Sequence, residues 1–233
     1  EPASATKLAE EFAETFFDGK YRAKLEYTVD NNPLAVYGVR LDSDNKEPIY
    51  IEVSQHGGHI LQMYRTPFNG KNEISAAEGE HIAESFLAEL GYRDLALAER
   101  IIYDNSCDLT YVPLENGVYL YADMLKVMVS LTHGEILSFD QSGYIANHYE
   151  RKLAAPKLKK ADIARKMNPN FYIDELRLAL INDEYLDGEF LCYEVRGKIK
   201  DEQFAVFVDA DSGAERRIVR LSKDKEYEFA AGE

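Results

Sequence analysis

The chain repeats itself, and that constrains its fold more than any other feature. Three segments align on a glycine: Ile51-Glu-Val-Ser-Gln-His-Gly-Gly58-His-Ile-Leu, Val127-Met-Val-Ser-Leu-Thr-His-Gly134-Glu-Ile-Leu and Val206-Phe-Val-Asp-Ala-Asp-Ser-Gly213-Ala-Glu-Arg. The aligned glycines lie 76 and 79 residues apart, and Val53, Val129 and Val208 share a column. Each reads as a tight hairpin, where glycine serves because the turn needs positive φ.

A helical pattern precedes each turn. Ala5, Leu8, Ala9, Phe12 and Phe16 recur at helical spacing, with Ser4 expected as N-cap and Asp18-Gly19 as the stop. Ala83, Phe86, Leu87 and Leu90 repeat the pattern. Ser75 and Glu78 stand ahead of them as a capping box, and Gly91 follows. Ile163, Ala164 and Met167 mark a shorter third helix that Pro169 ends. The helix spacing agrees with the turn spacing, so the period belongs to a whole unit.

Strand-like runs lie between helices and turns: Leu34–Leu41, Leu95–Tyr103, Val118–Leu131, Arg177–Ile181 and Phe190–Ile199. In the last, Val195, Gly197 and Ile199 alternate with Arg196, Lys198 and Lys200, predicting one buried and one solvated face. The expected fold class is α+β, a tandem array of three units at 1–73, 74–152 and 153–233. Each is one helix packed on a small antiparallel sheet. Boundaries are expected near Asn69–Asn72 and Ala154–Pro156. A lone hairpin with a helix is marginally stable, so neighbouring units are expected to pack together.

The net charge is −15. An acidic chain lacks the basic face that displaces counterions from nucleic acid, and it is not drawn to anionic lipid. No apolar run reaches the ~18 residues of a membrane span. The chain begins at Glu1, without Met or signal peptide, which reads as a processed product or expressed fragment. Cys107 and Cys192 form no framework of disulfides and no CxxC pair, so their redox state stays open.

Several short patterns resemble catalytic or metal motifs. His56, His59 and Glu52 suggest metal ligands, but the same turn carries Thr132, His133 and Glu135, then Asp211, Ser212 and Ala214. A ligand set that changes at every copy is turn chemistry. Asp209-Ala-Asp211-Ser-Gly213 lacks the glycine and glutamate spacing of a calcium loop. Asp42-Ser-Asp44-Asn-Lys46 reads as a polar hairpin loop. Ser4-Ala-Thr-Lys7 matches S-x-x-K without its companion motifs. Cys192 lies on an apolar strand, and Cys107 lies among carboxylates that disfavour a thiolate. No catalytic residue, metal site or cofactor site is nominated.

One stretch departs from the acidic background. Between His148 and Lys166 stand Arg151, Lys152, Lys157, Lys159, Lys160, Arg165 and Lys166, giving a local charge of +5. By unit the charge is −4, −8 and −3, so an acidic middle meets a basic seam. The seam is either a solvated linker and helix face or a docking patch for an anionic partner or cell-wall polymer.

The unit itself, a helix then a small meander with a V-x(4)-G turn, resembles the PepSY family. The resemblance is specific through Val118-Tyr-Leu-Tyr-Ala-Asp-Met-Leu-Lys-Val-Met-Val-Ser-Leu131 and Gly134-Glu-Ile-Leu-Ser-Phe-Asp-Gln-Ser-Gly-Tyr144. It continues through His148-Tyr-Glu-Arg151, Ala155-Pro-Lys-Leu158, Asn168-Pro169, Arg177-Leu-Ala-Leu-Ile181 and Leu191-Cys-Tyr-Glu194. The spore-germination members are the nearest in pattern. The resemblance implies a non-enzymatic partner of a spore cortex-lytic hydrolase, which it stabilises, localises or restrains. The place implied is extracytoplasmic, at the boundary of inner membrane and cortex. Relatives of this kind carry a membrane anchor ahead of the part matched here. The alternatives are a peptidoglycan-binding module, or a propeptide-like hydrolase inhibitor outside sporulation. No cofactor is implied, and homodimer formation is left open.

Overall fold

The computed structural model describes residues 1–30, 34–44, 46–67, 70–183, 188–221 and 226–228. Asn45 of the expected polar loop and Asn69 of the first expected boundary lie outside the described residues. Helix α1 (Pro2–Phe16) leads into β1 (Arg22–Val29), β2 (Val36–Ser43), β3 (Lys46–Ser54) and β4 (Ile60–Arg65). Helix α2 (Ala76–Glu89) precedes β5 (Leu95–Ile102), β6 (Ser106–Glu115) and β7 (Val118–Leu120). A 3-10 turn at Tyr121–Asp123, β8 (Leu125–Ser130), β9 (Ile136–Asp140) and α3 (Ser142–Asn147) follow. Last come α4 (Lys160–Lys166), β10 (Tyr172–Asp183), β11 (Gly188–Ile199), β12 (Glu202–Asp209), β13 (Glu215–Leu221) and β14 (Glu226–Glu228).

The fold is α+β, but the strands do not form three separate small sheets. They make one sheet in the order β1-β2-β3-β4-β9-β8-β6-β7-β10-β11-β12-β13, with β5 pairing β6 and β14 pairing β5. Two edge pairings fuse it. β4 lies antiparallel to β9 through Gln62↔Asp140, Met63↔Phe139 and Tyr64↔Ser138. β7 lies parallel to β10 through Leu178↔Val118, Ala179↔Tyr119 and Leu180↔Leu120. Edge strands carry unpaired N–H and C=O groups, and pairing edge to edge satisfies them.

Helices α1 and α2 share one core on the same side of the sheet. Phe86 touches Phe12 at 6.3 Å, Phe16 at 4.8 Å and Phe139 at 5.2 Å between ring centroids. A second core lies under α4, built by Ile163, Phe171, Tyr193, Val195, Val206 and Val208.

The three aligned glycines adopt φ of +65°, +70° and +74°, as tight hairpins require. Four positions before each glycine, Ser54, Ser130 and Asp209 receive backbone N–H groups on their side-chain oxygens. All three side chains are buried. The capping box forms too: Ser75 Oγ accepts from the Glu78 N–H, and Glu78 accepts from the Ser75 N–H.

Other expectations are corrected. Helix α1 starts at Pro2 with Glu1 as N-cap, so Ser4 lies inside the first turn. Proline's fixed φ favours that position. Ala164 faces solvent, and α4 buries Ile163 alone. The Val118–Leu131 run is broken by the 3-10 turn, because β7 pairs with β10 while β8 pairs with β6 and β9. In β11 the alternation fails at Arg196, which is 4% exposed. That strand lies inside the sheet, and the middle strands cover its second face.

Candidate interaction surface

Of the seven cations in the seam, Lys152, Lys157, Lys159, Lys160, Arg165 and Lys166 are exposed. The segment before α4 is pinned to the β12–β13 hairpin. The Leu158 N–H donates to the Ala210 carbonyl at 3.0 Å, and Tyr193 Oη donates to the Leu158 carbonyl at 2.8 Å. Ile163 anchors α4 in the core, which turns Lys160, Arg165 and Lys166 outward. Lys157 Nζ lies 2.7 Å from Asp211 Oδ2. That hydrogen bond raises the lysine's pKa and lowers the aspartate's. Arg165 pairs with Asp162, and Lys166 Nζ reaches the Ser212 carbonyl at 3.4 Å.

Arg151 has a different place. Its side chain is 3% exposed. Its Nη1 and Nη2 donate to Asp123 at 2.6 and 2.8 Å, and its Nη2 reaches Glu189 Oε1 at 2.5 Å. Tyr149 lies against the guanidinium at 4.1 Å, and His148 Nδ1 sits 2.7 Å from Asp123 Oδ2. Burial disfavours the charge on Arg151, but the bonds to Glu189 and Asp123 outweigh it and raise its pKa. Arg151 is therefore a clamp between the 3-10 turn and the start of β11, and not part of a solvent-facing patch.

A second buried network was missed in the sequence. Glu194 on β11 is 1% exposed. It accepts from Arg177 Nε at 2.7 Å, Arg196 Nε at 2.6 Å and Tyr121 Oη at 2.9 Å. Arg177 Nη2 also donates to the Ala98 carbonyl on β5 at 3.1 Å, and its guanidinium lies 4.1 Å from the Tyr119 ring centroid. The network joins β5, the 3-10 turn, β10 and β11. Arg177 and Glu194 gave a signal only in being charged residues within apolar runs.

The hairpin histidines His56 and His59 are both exposed. The His59 ring folds back over Gly57, and Glu52 accepts from Tyr27 Oη at 2.6 Å. Among the described residues, no group of three or more His, Cys, Asp or Glu is placed to hold a metal ion. Cys107 and Cys192 are both buried and unbridged, and burial pushes the Cys107 thiol up to about 11. A thiol so shifted is a poor nucleophile at neutral pH. No helix among the described residues is long and apolar enough to cross a membrane.

Comparison with known proteins adds a family. Residues 2–154 match the family model described as YpeB sporulation, PepSY1 and PepSY2 domains. The chain is 31% identical over 220 residues to the sporulation protein YpeB of Bacillus subtilis, covering 93% of this chain and 48% of that protein. It is 28% identical over 223 residues to the sporulation protein YpeB of Halalkalibacterium halodurans, covering 95% and 50%. The chain thus spans about half the length of these curated relatives. Among solved structures it is similar to the Bacillus megaterium YpeB C-terminal domain, with a TM-score of 0.80 and 28% identity, covering 96% of this chain and 98% of that one. These relatives are named as sporulation proteins and not as enzymes.

Proposed function

The chain belongs to the YpeB sporulation family, and from that premise we propose that it is a non-enzymatic interaction module of the spore. In this reading it holds a cortex-lytic hydrolase, stabilising, localising or restraining it outside the cytoplasm where membrane meets cortex. The three repeats act as PepSY units at 1–73, 74–152 and 153–233, fused into one rigid body.

The observation that carries the proposal is the exposed basic strip. Lys152, Lys157, Lys159, Lys160, Arg165 and Lys166 face solvent on a chain of net charge −15. A strip of one sign on a background of the other orients an approaching partner and speeds encounter. The apolar faces of α1, α2 and α4 are consumed in the two cores, so this strip offers an approaching partner a contrast of charge.

The test reverses Lys157, Lys159 and Lys160 to Glu and measures affinity for the hydrolase. Binding is expected to weaken by about tenfold or more, roughly 1.4 kcal/mol, and to lose much of its salt dependence. Unchanged affinity overturns the assignment. Retention of the chain on purified cortex without hydrolase favours the peptidoglycan-binding alternative.

A further inference from the structure

The branched sheet has three ends, at β1, at β5 with its covering strand β14, and at β13, and they are treated differently. At β1 the outward Ala23 N–H donates to Glu10 Oε1 of α1 at 2.7 Å, and the register slips between Leu25 and Tyr27. At β5 the edge is covered by β14 through Glu226↔Ile102, Tyr227↔Ile101 and Glu228↔Arg100. Both are familiar ways of blunting an edge. β13 has neither. It pairs with β12 without interruption from Arg217 to Leu221, and no strand among the described residues pairs its other side. It also leaves Ile218 58% and Val219 38% exposed.

We infer that β13 is a docking edge that takes an extended acidic segment of a partner protein as an added strand. The inference rests on the reading of the chain as an interaction protein. Charge selects the occupant. Residues 215–221 carry a net charge of +2 on a chain of −15. Ile218 pairs with Val206, and Arg220 with Phe204, both of which pack into the α4 core. Alternation sets Ile218 and Arg220 on the α4 face, with Arg217 and Val219 opposite, while Arg216 sits at the register slip and lies over the Phe190 ring beside Asp209. The complementary segment, set against Arg217, Ile218, Val219 and Arg220, reads acidic-apolar-apolar-acidic.

Arg216 bonds Asp209 and Arg220 bonds Glu202, while Arg217 Nη2 donates to the Asn182 carbonyl. A guanidinium has five N–H donors, so each keeps donors for a partner carboxylate. A second copy centred between Ile218 and Val219, or on Ile218, fits poorly. Pairing about a two-fold axis between Ile218 and Val219 sets Arg217 opposite Arg220, and an axis on Ile218 sets Arg216 opposite Arg220. The edge is also continuous with the basic strip, since Lys157 and Lys166 bond the β12–β13 turn at Asp211 and Ser212. A strand added here gains main-chain hydrogen bonds for affinity and side-chain pairing for specificity.

The experiment uses the 233-residue chain and two short fluorescent peptides of one composition. One carries Glu-Val-Val-Glu, and the other has the same residues scrambled. Anisotropy is expected to show binding of the patterned peptide, weakened by high salt, with slowed amide exchange at residues 216–221. Arg217→Glu with Arg220→Glu is expected to cost about tenfold or more in affinity. Ile218→Pro, which removes an outward main-chain donor, is expected to abolish the protection while circular dichroism stays unchanged. No binding, equal binding of the scrambled peptide, or protection confined to residues 157–166 overturns the inference. Lysine reversal is expected to leave the residue 216–221 protection in place, so this failure and that of the hydrolase reading are distinguishable.

Discussion

Replacing Glu194 by Gln tests whether the sheet is held as one body. The carboxylate is 1% exposed and lies between Arg177 and Arg196, whose side chains are 7% and 5% exposed. Gln keeps the volume and removes the charge, leaving two guanidiniums facing each other across a neutral amide. Breaking a buried pair by removing one partner costs about 3–5 kcal/mol. At this chain length each kcal/mol lowers Tm by ~2–4 °C, so a fall of roughly 10 °C is expected. Calorimetry and urea unfolding monitored by near-ultraviolet circular dichroism read both quantities. The control is Glu202→Gln, whose partner Arg220 is 63% exposed. Surface pairs contribute about 0–1 kcal/mol, so that variant should unfold almost as the parent does. A third variant replaces Glu194, Arg177 and Arg196 together by Leu, Met and Met, and should recover most of the loss, because an apolar cluster avoids desolvating charge. A loss under about 1 kcal/mol for Glu194→Gln, or equal losses for the two single variants, refutes the reasoning.

Other outcomes follow from the same geometry. Burial pushes the Asp209 carboxyl up, but hydrogen bonds from Ser212, Arg216 and Asp211 outweigh it and hold its pKa at about 2. Since the folded value is depressed, its stabilisation is complete above about pH 4 and lost as pH falls toward 2. That loss is about 2 kcal/mol, and Asp209→Asn should remove this part of the acid limb in urea titrations at stepped pH. Ser75→Ala should cost about 1 kcal/mol by urea unfolding through loss of the α2 cap. Gly197→Ala should cost about 3 kcal/mol or more, or prevent folding, since its Cβ would lie 2.1 Å from the Tyr172 carbonyl oxygen. A soluble, equally stable alanine variant by calorimetry would contradict the close approach of β10 and β11.

What was legible in the sequence was local. The hairpin glycines, the Ser75–Glu78 box and the apolar stripes of α1 and α2 each announce themselves within a few residues. What was illegible depended on distant strands. Nothing in Ile60–Arg65 or Ile136–Asp140 says that β4 and β9 will pair, because edge pairing is made by backbone groups common to all residues. Arg196 reads as solvated from its alternating neighbours, and only the cover supplied by Tyr121 and β5 buries it. Arg151 reads as one cation in a basic run, and only Asp123 and Glu189, brought from elsewhere, turn it inward. The basic seam was visible as a cluster, and its separation into one buried clamp and six exposed cations needed the fold.

The central claim is that the exposed strip around α4 faces a hydrolase. Lysine-directed crosslinking of this chain with the proposed partner, a cortex-lytic hydrolase, read by mass spectrometry, addresses it most directly. The account predicts crosslinks concentrated on Lys152, Lys157, Lys159, Lys160 and Lys166. Crosslinks gathered instead on Lys7, Lys20, Lys24 and Lys71, with none from the strip, would contradict it.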